Sequence, residues 1–214
     1  MYYAAAVQIN VADYLEEFSR VASQAGFSRE ILAKVDGHEI PAFVRRAEDA
    51  PVVYVSSGMH GDEPSGPLAL LELLKEDLFG PELEWMLCPL MNPTGVSVAS
   101  RENNQGLDLN RDYLRRSSAE VAGHVRWLEK QPVPDVFLSL HEDWESTGFY
   151  LYEIQKCEFA SVAHAILKAA AEEIAPEPSE LIDDPAVREP GWIFHKPEAD
   201  FPEDWPEAIY MANM

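Results

Sequence analysis

The chain has 214 residues, 47% of them hydrophobic, enough to bury one substantial core and too few for two ordinary enzyme domains with separate cores. Its formal net charge of −22, from 38 acidic against 16 basic residues, would repel a phosphate backbone and an anionic membrane surface. No apolar run approaches the roughly 20 residues of a membrane-spanning helix, so neither nucleic acid nor a membrane is an expected partner.

Met1 to Asn10 carry no Lys or Arg ahead of a hydrophobic stretch, so they lack the layout of a secretory signal, and cytoplasmic residence is expected. Asn10 is placed to cap a first helix to about Gln24, with Val11, Tyr14, Leu15, Phe18 and Val21 at helical spacing and Gly26 as a stop. Two strands follow, Glu30 to Val35 and Glu39 to Arg45, joined by the hairpin dipeptide Asp36-Gly37. Val52 to Ser57 is a β-branched run suited to a buried parallel strand, and the leucines between Leu68 and Leu74 predict a helix after Pro64. Trp85 to Met91 reads as a strand ending in the turn Asn92-Pro93-Thr94-Gly95. Ser117-x-x-Glu120 reads as a capping box opening a helix to about Lys130. Val136 to His141 and Phe149 to Ile154 are further strands, and Phe159 to Ile174 an alanine-rich helix.

Strands alternating with helices predict a three-layer α/β/α domain around a mixed, mostly parallel twisted sheet. One domain over 1–214 is expected: helix and hairpin over 1–50, a motif-bearing core over 51–175, and a surface excursion over 176–206 with seven prolines and no sustained periodicity. Pro206 to Tyr210 reads as a helix leading to a strand that the chain does not reach. Cys88 and Cys157 show no metal-motif spacing and read as reduced packing residues.

The sharpest chemical signal is His60-Gly61-Asp62-Glu63-Pro64, between a predicted buried strand and a predicted helix. Ligands of open α/β sheets gather at the carboxyl ends of strands, where a His and a Glu three residues apart can converge on one ion. Imidazole and carboxylate suit zinc, and His141, ending the strand after Val136, supplies a third ligand while leaving a position for water. His38, His124, His164 and His195 read as ordinary polar or packing residues. The second signal is the loop from Arg101 to Arg111, which brings two arginines, Asn110 and Asp108 toward one cleft. Arginine forks suit carboxylates and oxyanions, and an Asp behind a ligand His fixes its tautomer.

Together, His60-x-x-Glu63, Asn92-Pro93-Thr94-Gly95, Arg101, Asp108-Leu109-Asn110-Arg111 and His141 resemble, in order and spacing, the M14 zinc metallocarboxypeptidases, in particular short bacterial members akin to murein-peptide amidases. The resemblance covers about residues 50 to 155 and implies a carboxypeptidase-like fold. It implies one Zn2+ held by His60, Glu63 and His141, with Asp108 behind His60. Arg101 would polarise the scissile carbonyl, and Asn110 and Arg111 would grip the terminal carboxylate of a small peptide. Zinc with one carboxylate ligand keeps net positive charge and can lower the pKa of its water.

The family's general base is a glutamate on a late strand, and no segment of the chain matches it. Glu153, expected on a strand beside that of His141, is the in-chain candidate. Tyr150 and Tyr152 alternate with core residues and are candidate substrate contacts, while Glu142 and Asp143 read as outer or solvated acids. Two alternatives stand beside the peptidase: an N-acyl amino acid deacylase like succinylglutamate desuccinylase or aspartoacylase, and a zinc-bearing module that binds carboxylates without turnover. Oligomeric state leaves no mark on the sequence.

Overall fold

Asn10 opens the first helix, α1 (Val11–Gln24), as its spacing predicts: the Asn10 side chain accepts from the backbone N–H groups of Ala12 and Asp13. Strands β1 (Ser28–Val35) and β2 (His38–Arg45) form the expected hairpin, whose turn needs two residues at positive φ; Asp36 takes 48° and Gly37 takes 85°. The chain then runs through β3 (Val52–Ser57), α2 (Ser65–Lys75), β4 (Glu84–Cys88), α3 (Pro93–Val98), α4 (Ala119–Leu128) and β5 (Val136–Leu140). The computed structural model describes residues 8–156, 161–182, 184, 186–195 and 203–214. They fall into two compact units, Met1–Glu142 with Glu203–Glu207, and Asp143–Pro202 with Ala208–Met214.

The first unit is built on a mixed five-stranded sheet in the order β1-β2-β4-β3-β5. Its β1–β2 and β2–β4 pairs are antiparallel, and β3 runs parallel to both β4 and β5. All six residues of β3 are buried, so its continuous apolar run is that of a strand covered on both faces. Alternation sorts the faces. Val53, Val55, Phe43 and Leu87 join Phe18 of α1, Leu70 and Leu74 of α2 and Val96 of α3 in one core. Tyr54, pointing the other way, packs against His124 and Trp127 of α4. These three layers match the expected fold class.

Phe18 is fully buried, its ring 4.9 Å from that of Phe43 and 5.9 Å from that of Tyr14. Phe18→Ala is expected to destabilise the protein by about 3–5 kcal/mol in chemical denaturation, the cost of lost transfer energy plus a cavity.

Three local expectations need correction. The strand predicted to Met91 stops at Cys88, and Asn92-Pro93-Thr94-Gly95 opens α3: the Asn92 side chain accepts the Gly95 N–H at 2.8 Å, with Pro93 at the first helical position. Ser118, not Ser117, caps α4, accepting from Val121 N–H. Asp112 holds both serines in place, its two carboxylate oxygens accepting the N–H and O–H groups of each. Glu120 then has no cap to reach back to and accepts instead from Asn103 Nδ2 at 3.1 Å.

The second unit contains β6 (Leu151–Ile154), α5 (Ala163–Ala170), β7 (Val187–Glu189) and β8 (Trp192–His195), with a three-stranded sheet in the order β6-β8-β7. The excursion expected without sustained periodicity thus includes, among its described residues, β7 and β8, strands too short to carry a period. The helix expected from Phe159 is described from Ala163, and Cys157 lies outside the described residues. A last helix, α6 (Glu207–Ala212), begins with the final residue of the first unit. Among the described residues, no helix is long and apolar enough to cross a membrane.

Candidate active site

Strands β3 and β5 lie side by side with Ser57 opposite Leu140, so the loop after β3 and the residue after β5 leave the sheet at the same end. This brings His60, Glu63 and His141 together. His60 Nδ1 lies 2.6 Å from Glu63 Oε1, and His141 Nδ1 lies 2.7 Å from Glu63 Oε2. One donor atom from each of the three falls within 4.8 Å of the others, an arrangement able to hold a metal ion. His60 and Glu63 are buried and His141 is exposed, so the cluster opens to solvent on one side.

Each imidazole is held from behind. His60 Nε2 is 3.1 Å from Asp108 Oδ1, and His141 Nε2 is 3.3 Å from Ser139 Oγ. Asp108 serves a second group as well: its other oxygen takes Arg101 Nε at 3.1 Å and Arg101 Nη2 at 3.0 Å. That double hold leaves Arg101 Nη1 at 3.3 Å from His60 Nδ1 and 3.6 Å from Glu63 Oε1. The guanidinium therefore stands beside the three-residue cluster with half its surface exposed.

The charges follow from these contacts. Burial disfavours charge on His60, but hydrogen bonds to Asp108 and Glu63 outweigh it and raise the pKa above the ordinary 6.5. Burial also pushes Glu63 up, yet the bonds from His141 and His60 prevail and bring it down to about 2. Asp108 is held well below the usual carboxylate range against its own burial by the His60 bond, then by the charges of His60, Arg101 and Arg111. A His60 ring with a carboxylate at each nitrogen is thereby held ready to carry positive charge.

Asn110 and Arg111 form a short 3₁₀ turn that Asp108 opens, its side chain accepting the Asn110 N–H at 2.9 Å. Asn110 Oδ1 accepts the backbone N–H of Glu207 at 2.9 Å, which fixes the amide orientation and leaves the Nδ2 donor end to meet a carboxylate. Arg111 is exposed and donates from Nη1 to the Asn110 carbonyl at 2.8 Å.

Two loops are locked backbone to backbone. A Cβ on Gly61 would fall 2.0 Å from the Gly95 carbonyl carbon, so no side chain fits there, and the Gly61 N–H donates to Ser100 O at 2.9 Å. Asn92 Nδ2 donates to Arg101 O at 3.3 Å, tying the start of α3 to the loop that carries Arg101.

Of the remaining candidates, Glu142 meets the cluster through its backbone, its N–H donating to Glu63 Oε2 at 3.2 Å, and Glu153, Tyr150 and Tyr152 belong to the second unit. Glu153, expected on a strand beside that of His141, sits on β6, whose ladder partner is β8; β8 satisfies the backbone groups that β5 was expected to meet. Its carboxylate accepts from Ser161 Oγ and Trp192 Nε1 within the second unit. Tyr150 donates to Asp143, and Tyr152 is exposed and stacks on His195. Glu142 accepts from the N–H and hydroxyl of Ser65 at the start of α2. Sequence reading missed Ser139 and Glu207. A usable signal existed in Ser56 and Ser139, hydroxyl residues in mostly apolar strands that pair across the β3–β5 ladder.

The fold is the carboxypeptidase-like fold of the M14-related proteins. The chain belongs to the succinylglutamate desuccinylase/aspartoacylase catalytic domain family, whose model matches residues 49–177, more than half of its length. Among solved structures, a protein of Shewanella denitrificans OS217 provisionally named a metallopeptidase superposes with a TM-score of 0.81 at 23% identity, over 95% of this chain and 77% of that one. A similarly named protein of Shewanella amazonensis SB2B gives 0.79 at 22% identity, over 95% and 80%. A metallo-carboxypeptidase from Pseudomonas aeruginosa, in complex with (2-guanidinoethylmercapto)succinic acid, gives 0.52 at 26% identity, over 60% of this chain and 39% of that one. No curated protein matches the chain in sequence.

Proposed function

We propose that the protein is a zinc-dependent hydrolase that cuts an amide bond next to a free carboxylate, with a short peptide as substrate. The observation that carries this reading is the convergence of His60 Nδ1, a Glu63 oxygen and His141 Nδ1, each imidazole held by its far nitrogen, beside the Arg101 guanidinium. The donor set fits zinc: two neutral imidazoles and one carboxylate make a catalytic site with a position left over. When bound, the ion acts as a Lewis acid and lowers the pKa of water to about 7.

The chain's own residues supply the rest. Asn110 Nδ2 and the Arg111 fork bind the substrate carboxylate and so set which amide is presented. Arg101, oriented by Asp108, places fixed positive charge where the carbonyl oxygen becomes an oxyanion. Asp108 keeps the His60 proton on Nε2 and leaves Nδ1 free to donate its lone pair. Glu153, the candidate base, accepts from Ser161 and Trp192 through its Oε2 oxygen, and the proposed reaction assigns it no step.

Membership of the desuccinylase/aspartoacylase family favours a second reading, in which the bond cut belongs to an N-acyl amino acid. Both readings need the carboxylate grip. Ninhydrin or mass-spectrometric detection of amino acid released from dipeptides and tripeptides, set against release from N-succinyl and N-acetyl amino acids, separates them. Peptide turnover is expected; turnover of N-acyl amino acids alone would select the second reading.

Arg111→Ala is expected to raise KM for free-acid substrates by about 10-fold or more with a smaller change in kcat, because the lost interaction is made in ground and transition states alike. The C-terminally amidated substrate should be poor for the wild type and indifferent to the substitution. An equal KM for free-acid substrates in wild type and variant removes Arg111 from the site.

A further inference from the structure

Glu207 is fully buried, and it touches the site twice without lying in it. Its backbone N–H donates to Asn110 Oδ1 at 2.9 Å. Its carboxylate Oε2 accepts from Ser56 Oγ at 2.7 Å and from Ser139 Oγ at 3.3 Å, and Oε1 from the Tyr54 hydroxyl at 3.1 Å. Ser139 Oγ in turn lies 3.3 Å from His141 Nε2.

A serine hydroxyl has one hydrogen. When Ser139 gives it to Glu207, only lone pairs remain to face His141, so the imidazole must present N–H at Nε2. In the neutral ring Nδ1 is then the lone-pair nitrogen, so a metal ion can stand between it and the Glu63 oxygen 2.7 Å away, in place of the hydrogen of the present bond. The polarity of one buried carboxylate thus fixes the tautomer of an imidazole that it does not touch. On these grounds we propose that Glu207 is the positioning residue that holds His141 in its metal-ready tautomer and Asn110 in its carboxylate-ready orientation. The inference rests on the functional reading above.

The arrangement keeps its polarity whether or not Glu207 is ionised. Burial pushes the Glu207 carboxyl up to about 7, and burial brings His124 down to about 3, so His124 is neutral. A proton on Glu207 fits at Oε1, where the Tyr54 oxygen can accept it while Tyr54 donates to His124 Nε2 at 2.7 Å. His124 Nδ1 then donates to the Tyr113 hydroxyl at 2.8 Å. Oε2 remains an acceptor for Ser56 and Ser139 throughout.

The test measures zinc affinity by competition with a chromophoric chelator, and KM for a free-acid substrate, in the full chain carrying Glu207→Ala, Glu207→Gln or Ser139→Ala. Glu207→Ala is expected to weaken zinc about 10–100-fold, the usual effect of losing an outer partner of a ligand, and also to raise KM. Glu207→Gln, whose amide keeps an acceptor toward Ser139 and a donor toward Tyr54, should restore both. Ser139→Ala should lose zinc affinity alone, a split that general loosening of the fold would not produce. Wild-type zinc affinity in Ser139→Ala overturns the inference, and so does an unrescued Glu207→Gln that folds normally. If Glu207→Ala fails to fold, the Ser139→Ala affinity decides. His60→Ala separates the two levels: a wild type that binds no more zinc than His60→Ala overturns the functional reading itself, and this inference with it.

Discussion

Replacing His60 or His141 by alanine is expected to take the protein from one equivalent of zinc to none, with loss of turnover. Each substitution removes one of three converging donors and leaves Glu63 with a single imidazole partner in place of two. Metal analysis after dialysis reads the result, and equal zinc in variants and wild type would discard the ligand assignment. The same site predicts a pH dependence. Zinc must displace the proton that His60 holds between Glu63 and Asp108, and those contacts raise its pKa above 6.5. Zinc affinity should therefore rise with pH, by about tenfold per unit while His60 is still protonated, and level off above its pKa. Stability without metal runs the opposite way for this group. A raised pKa contributes stability that is present below 6.5 and lost as pH climbs through the folded value. Glu63 has the reverse sign: its contribution is present above the ordinary carboxylate range and lost as pH falls toward about 2.

Arg101→Ala should lower kcat by about 10²–10³-fold while leaving zinc content intact, the loss expected when one preorganised oxyanion donor is removed. Arg101→Lys is not expected to restore it. Asp108 holds Arg101 through both Nε and Nη2, and a lysine ammonium cannot occupy that fork while projecting a second donor toward the cluster. Steady-state kinetics with parallel metal analysis tests this. A kcat within a few-fold of wild type would take Arg101 out of the chemistry. A variant that loses zinc would make it a structural support of His60 instead.

What the sequence revealed divides by the reach of the interactions. Asn10 and Asp36-Gly37 act within a few residues, and both did in the structure what their chemistry dictates. β3 was legible because a strand buried on both faces leaves an unbroken apolar run. His60, Glu63 and His141 could be picked out because strand ends are where an α/β sheet gathers its ligands. Elsewhere local chemistry was outvoted by distant partners. The cap of α4 fell to Ser118 and not Ser117, and Asp112, from before the helix, anchors both serines. β6 paired with β8, and nothing in the periodicity of Leu151–Ile154 names that neighbour. Glu207 lies 151 residues from Ser56 in the chain, and its role exists only once the sheet has closed around it. Strand periodicity reports which face a residue takes, not which side chain from another segment will meet it there.

Because Gly61 and Gly95 meet main chain to main chain, evolutionary drift at either position is nearly closed. A methyl on Gly61 would pry its loop from α3, where only the main chain of Gly95 and Val96 faces it and no side chain can be shortened, and one on Gly95 would run into the Asn92 amide and the Glu102 and Ser100 carbonyls. Diversification of substrate preference is thereby channelled to other, side-chain-bearing positions of these loops, and a library randomising Gly61 or Gly95 should return almost only glycine.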